Sequence, residues 1–467
     1  MSVYGYRRGS IFWALTLIAI GGLFLYHNFN PGVRPWHVIA KYWPLMIIFW
    51  GLSKLIDYLQ ASQHPEATPP ALFTASEVIL LFLVLVTGSL VSRVVLRPTH
   101  EWPSALGIDL DTDFLLNSYS YTETLSQPAK PEIRLIVEDQ RGDLTINSSD
   151  QPVIEAIVKR EIKADSEEAA KKLNGDLKVE IVEQAGSYVL RSNRDSLSGD
   201  GRFVRIDLVL RVPKGTSADV TSARGDIVID GLKGNQTVTA KKGDVRIANV
   251  EGLVRIHKSG GSTTVSEIKG NVDVDGRGSD VEAANVTGTV VVNGEFSGSL
   301  QFSNVGQTLR FNSSRTDMTA QKLSGKLSME LGSLDVRGVD GPFEIATRQK
   351  DITLQEFKHS VKITTTNGAV RLQTSASPTQ PVEVDVKKGD IELQLPSRSN
   401  FRIDASSHHG EVESDFSAPS LTVNKEGETP SITGNYGTGG ANIRLTTSYG
   451  TIHLQRADAL TPSDERT

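Results

Sequence analysis

"GDIVIDGLKGNQTVTAKKGDVRIANVEG", residues 225–252, has glycine at Gly225, Gly234, Gly243 and Gly252, one at every ninth position. From Gly243, the second, fourth, seventh, eleventh and thirteenth residues onward are Val245, Ile247, Val250, Val254 and Ile256. The same offsets from Gly225 give Ile227, Ile229, Leu232, Gln236 and Val238. The pattern continues from Gly261 and Ser279 and, after a one-residue slip, from Gly298, Thr316, Gly332 and Lys350. Of the forty positions in these eight repeats of five, Gln236 and Thr263 alone are not apolar, although hydrophobic residues make up 38% of the chain. Chance does not produce that enrichment.

Residues two apart on a strand share a face, so each repeat sends one pair of side chains inward, bends at an apolar corner and sends a second pair inward from the other side. Glycine beside Asp or Asn supplies the backbone angles of the tight corners. Stacking successive turns ~4.8 Å apart places Ile229, Ile247 and Val265 in one column. The expected fold is mainly β: a parallel β-solenoid with two strands per ~18-residue turn over residues 221–456, a rod of roughly 60 Å. "GAVRL" at 368, "GDIEL" at 389, "GEVES" at 410 and "GTIHL" at 450 keep the strand with longer loops between.

Two other repeat architectures share these periods. Hexapeptide acyltransferases need an aliphatic residue every six, but here Ile227 is followed by Lys233 and Thr239. Calcium-binding nonapeptide rolls have one apolar residue per repeat and a glycine signature absent here, so Asp226, Asp230 and Asp244 read as turn formers.

Upstream, residues 131–220 read as an irregular β region opening the solenoid. "EIRLIVEDQRGDLTINSS" and "VIEAIVKREI" alternate with period two, and "ADSEEAAKKLNGD" forms one short helix with acidic residues in its first turn and Gly175 just past its end. Residues 99–130 read as a linker with one strand in "FLLNSYSYTETL", and 457–467 as a disordered polar tail. All five tryptophans lie within the first 102 residues. There, three apolar runs predict a transmembrane anchor over 1–98, with helices at about 11–28, 39–58 and 76–96. A cleaved signal peptide fits the first run less well, because no small-x-small site follows in "LYHNFNPG". Basic residues nearly balance across the spans, so the positive-inside rule does not decide orientation; the expected arrangement puts the solenoid outside a bacterial inner membrane.

A net charge of −6 gives no footprint for nucleic acid, and the absence of cysteine excludes disulfides, thiolate metal sites and cysteine nucleophiles. No nucleophile elbow, zinc-protease helix, phosphate loop or dinucleotide fingerprint is present. His408 and His409 are adjacent, so on a strand they face opposite sides. Outward positions run Val228, Arg246, Thr264, Glu282 on one face and Thr237, Arg255, Asp273, Val291 on the other, mixed signs that mark no glycan-cleaving carboxylate pair. No catalytic, cofactor-binding or metal-ligating residue is nominated, and no cofactor is expected.

"GGLFLYHNFN", Trp36 and "YWPLMIIFWGL" resemble the membrane region of LiaI and LiaF-type bacterial envelope-stress proteins. "LRVPKGTSADVTSARGDIVIDGLKGNQTVTAKKGDVRI" resembles the bacterial putative-adhesin repeat family, in which a Val-Pro strand leads into Gly-Asp turns; this likeness covers roughly residues 131 to 455. The resemblances imply a membrane-anchored, non-enzymatic envelope protein. It would touch the bilayer through its N-terminal helices and offer its solenoid as an adhesion, binding or scaffolding surface to a protein or glycan. The alternatives are a LiaF-like envelope-stress sensor and a glycan-active β-helix enzyme.

Overall fold

In the computed structural model of the chain, the described residues are 11–29, 35–62, 79, 81–86, 88–89, 116–197, 204–424 and 429–457. Two compact units emerge, residues 1–117 with 163–166, and residues 118–162 with 167–467.

In the first unit the helices Ile11–Phe29 and Pro35–Ser62 pack against each other. The second carries Pro44 in its interior. Ala40 and Trp50 are buried, whereas Leu17, Ile18 and Phe29 of one helix and Ile48, Phe49 and Leu55 of the other are exposed. Among the described residues no helix is long and apolar enough to cross a membrane. Of the three expected helices, two stand near the first two expected ranges without reaching the length and apolarity of a span, and of the third range residues 79, 81–86 and 88–89 are helical while the rest lies outside the described residues. So do most of the expected linker and the polar tail; within the linker range a strand, Asn117–Pro128, is described.

In the second unit the described strands join one 31-stranded sheet wound in solenoid-like rungs. Strand Val245–Glu251 lies parallel between Ile227–Asp230 and Thr263–Lys269, with Ile247 opposite Ile229 on one side and Val265 on the other. Val254–Lys258 lies parallel between Gln236–Ala240 and Val272–Gly278. The columns expected from the repeat are therefore present, and their members are sealed from water, Ile247 at 0% and Val274 at 1% exposure. Gly243 turns the corner with φ +112°, and a Cβ there would stand 2.1 Å from the Gly225 carbonyl oxygen one rung below. The neighbouring aspartates close the turn: Asp226 accepts from the Asp244 N–H at 2.9 Å, and Asp244 accepts from the Ser262 N–H at 2.8 Å. That backbone donor holds the Asp244 carboxyl below the usual carboxylate range.

The uniformly parallel arrangement is corrected at two places. Strand Thr316–Met329 runs antiparallel to Leu300–Asn312 before it and to Ser333–Val339 and Phe343–Gln349 after it. One rung is therefore inverted. Inward residues still meet inward residues: Leu300 opposes Met329, Phe302 Leu327, Val305 Leu323, Leu309 Ala320 and Phe311 Met318. The repeat's inward spacing, 2-3-4-2, becomes 2-4-3-2 when reversed, so a shift on either side of Val305 reconciles the two directions, and there the register shifts.

The second correction concerns stacking order. Val382–Lys388 pairs with Ala441–Tyr449, which pairs in turn with Phe401–His409. Ile452–Ala457 likewise lies between Ile391–Pro396 and Val412–Ser414. The segment 441–457 is thus inserted between rungs that precede it in sequence. A hairpin of Leu421–Asn424 and Ser431–Tyr436 runs antiparallel on Phe401–His409, and Phe401, Phe416 and Tyr436 cluster there with ring centroids 4.9 to 5.3 Å apart. At the other end, the irregular region supplies Val153–Ala164 antiparallel to Val204–Pro213, the hairpin of Val179–Gln184 and Ser187–Ser192, and the expected helix at Glu167–Asp176.

Candidate binding groove

One corner of the coil is made by residues with left-handed backbone angles: Asn249 (φ 55°), Glu267 (55°), Asn285 (56°), Asn304 (53°) and Lys322 (51°). Asparagine tolerates this conformation because its short amide bonds locally. Glu267 and Lys322 have no such help and are held there by the rungs on either side. The next residue in each rung, Val250, Ile268, Val286, Val305 and Leu323, turns inward and is buried. Between the left-handed residues and those two positions further on, a groove of about 720 Å³ runs along the stack from Asn249 to Asp340.

One wall is a ladder of side-chain hydrogen bonds. Asn249 Nδ2 donates to Asp230 Oδ1 at 2.7 Å, Asn285 Nδ2 to Glu267 Oε1 at 2.5 Å and Asn304 Nδ2 to Asn285 Oδ1 at 2.7 Å. The other wall begins with Glu251 between Lys233, at 3.2 Å, and Lys269, at 3.0 Å, followed by Thr287 and Gly306. Because Val305 faces Leu323 across antiparallel strands, the flanks of Leu323 are exchanged, which puts Lys322 on this second wall. Its carbonyl accepts from the Asp340 N–H at 2.9 Å, and Asp340 pairs with Lys358 at 2.6 Å. Lys269, then Lys233, hold the Glu251 carboxyl below its usual range, and Lys358 chiefly does the same for Asp340. The wall therefore carries lysines in excess of carboxylates at both ends, Lys233 and Lys269 on Glu251 and Lys322 beside the Asp340–Lys358 pair, with a hydroxyl and a glycine between them.

The aspartates read as turn formers make turn bonds, Asp226 and Asp244 to backbone N–H groups and Asp230 to Asn249. His408 and His409 part company: His409 stacks on Tyr449 at 4.8 Å, and His408 Nδ1 lies 3.5 Å from the Thr429 hydroxyl. Among the described residues no group of three or more His, Asp or Glu could hold a metal ion.

Sequence reasoning missed the groove and also a buried cation. Lys258, 1% exposed, projects inward with Val254 and Ile256, and its Nζ donates to the carbonyl of Gly243 at 2.7 Å and to that of Ser262. The period-two alternation of 254, 256 and 258 was the available signal. Burial pushes the Lys258 ammonium down to about 8, against partial compensation from Asp244 and Asp226. Below that pH both native and unfolded chains hold the proton and the cost of burying the charge is fully present. As pH rises from about 8 towards 10.5, the native state releases its proton first and stability rises, by at most roughly 3 kcal/mol. Denaturant melts at pH 7 and pH 10 should show wild type gaining stability relative to Lys258→Met; a parallel pH response would refute the assignment.

A family model described as Toastrack DUF4097 matches residues 133–455, and one described as the LiaI-LiaF-like transmembrane region matches residues 11–55. No curated protein matches the chain. Among solved structures, a putative cell adhesion protein from Clostridium sporogenes is 12% identical, with 72% of this chain and 100% of that one covered, at a TM-score of 0.15. A putative adhesin from Bacteroides fragilis is 8% identical, with 72% and 97% covered, at a TM-score of 0.23. Superpositions that poor carry no argument about this chain.

Proposed function

The chain belongs to the Toastrack DUF4097 family, and on that premise we propose that it is a non-enzymatic binding and adhesion protein of the bacterial envelope. The observation that carries this reading is the corner groove, which crosses successive rungs and is lined by side chains engaged in ladders rather than converging on a reactive point. Such a surface holds a ligand by many weak contacts. The N-terminal region serves as the anchor, a role supported by its match to the LiaI-LiaF-like transmembrane region and by the apolar side chains exposed on both helices, which suit lipid. The sheet then projects from the outer side of the inner membrane, and the first 98 residues form the membrane-associated part.

Protease treatment of intact cells carrying a tag after Ala457 tests the placement. The tag is expected to be lost while a cytoplasmic control protein survives; a protected tag would rule out adhesion, since an internal surface cannot attach a cell. A second reading, a LiaF-like regulator partnered through its membrane region, is favoured by the match over residues 11–55. Gene loss distinguishes the two: weakened attachment with unchanged stress-response transcription supports adhesion, and the reverse pattern supports regulation.

A further inference from the structure

The groove's dimensions and charge pattern narrow what can lie in it. From the Asn249 rung to the Asp340 rung there are five rung spacings, about 24 Å at ~4.8 Å each. A volume of about 720 Å³ spread over that length makes a narrow groove open on one side, a shape that suits an extended polymer strand rather than a compact ligand.

A peptide adding itself as a β-strand needs free backbone donors, and here they are engaged between rungs. The N–H of Glu251 donates to Leu232, that of Gly252 to Lys269, that of Thr287 to Ile268 and that of Gln307 to Gly288. A polyanion or polycation needs a uniform field, and the groove carries both signs: Glu267 on the first wall, and on the second Glu251 and Asp340 interleaved with Lys269, Lys358 and Lys322. Between these charges the middle of the groove offers the Thr287 hydroxyl and the side-chain amide oxygen of Asn304, whose Nδ2 is engaged by Asn285.

Resting on the reading of this groove as the binding surface, we infer that its ligand is a single unbranched, uncharged glycan strand lying along the stack, its hydroxyls hydrogen-bonded to Thr287 and Asn304. Repeating hydroxyl groups suit a site that repeats its polar groups from rung to rung, and charges of both signs along the two walls set attraction against repulsion for any polymer of uniform charge.

The test is calorimetric titration of the full chain in detergent with neutral linear oligosaccharides, β-linked glucose and N-acetylglucosamine oligomers of increasing length, beside oligogalacturonate and an extended Ala-Gly peptide. Affinity for one of the neutral series is expected to rise with length until the oligomer spans about 24 Å, and then to level off. Thr287→Trp, which fills the middle of the groove from an exposed position, should weaken that binding at least roughly tenfold with an unchanged thermal melt. Thr239→Trp, outside the groove, should leave it intact. Preference for the polyanion or the peptide, or glycan binding indifferent to Thr287→Trp, would overturn the inference. If no neutral oligomer binds while Thr287→Trp still abolishes cell attachment, the glycan assignment falls and the groove remains the adhesive surface.

Discussion

Gly243→Ala is expected to prevent the central rungs from closing. The added methyl would sit 2.1 Å from the Gly225 carbonyl oxygen and 2.6 Å from its carbon, both backbone atoms, and φ +112° is unfavourable to any L side chain. Relief requires the rungs to part by about an ångström, which stretches bonds made by their neighbours: Ile227 N–H to Asp244 O at 2.8 Å and Asp244 N–H to Asp226 Oδ1 at 2.9 Å. A loss of more than about 4 kcal/mol follows, in the range reserved for backbone strain combined with broken hydrogen bonds. Thermal melts by circular dichroism should show a large drop or no cooperative transition, with new protease cuts near residues 225–245. Gly332→Ala is the control: a Cβ there meets nothing within 4 Å, and φ lies outside the restricted range. That variant should melt within about 0.5 kcal/mol of wild type. Equal effects from both would mean that the corner stacking is wrong.

Removing residues 441–457 is expected to cost far more than stripping an outermost rung. If rungs stacked in sequence order, this deletion would peel a terminal strand pair and leave the rest protected. Instead Leu445 lies between Val384 and Ala405, and Leu454 between Leu393 and Ser414, so the deletion opens two interfaces and detaches residues 401–436 from the stack. Limited proteolysis of the deletion variant should destroy 401–436, whereas wild type should keep it. The milder Leu445→Ala, at a fully buried site, should cost about 2–5 kcal/mol. Survival of 401–436 in the deletion variant would show that it docks directly on 382–396.

These two sites differ in how readable they were. The corner glycine and the columns of Ile247 and Val274 follow from spacing, because an eighteen-residue period imposes the same side-chain direction rung after rung. Stacking order does not follow, since "GDIEL", "GEVES" and "GTIHL" carry one inward pattern and would each pair acceptably with any of the others. The inverted rung was hidden for a related reason: the inward spacing of Met318, Ala320, Leu323, Leu327 and Met329 reads nearly the same in either direction. Half of the groove was in view. "ANVEG", "ANVTG" and "SNVGQ" repeat an asparagine at the left-handed corner, but the far end of its opposite wall depends on the reversal that brings Lys322 beside Asp340. Lys258 was passed over because attention to apolar columns stops at Ile256.

A stack of near-identical rungs has an addressing difficulty: sliding one part against another by a whole turn costs little, since valine lands on valine. The antiparallel strand Thr316–Met329 removes that degeneracy, because any slid copy must set a forward rung in a slot shaped for a backward one, with its shifts on the wrong side of Val305. A protein of this construction should refold to one alignment from dilute denaturant, where a stack of forward rungs alone would return a mixture.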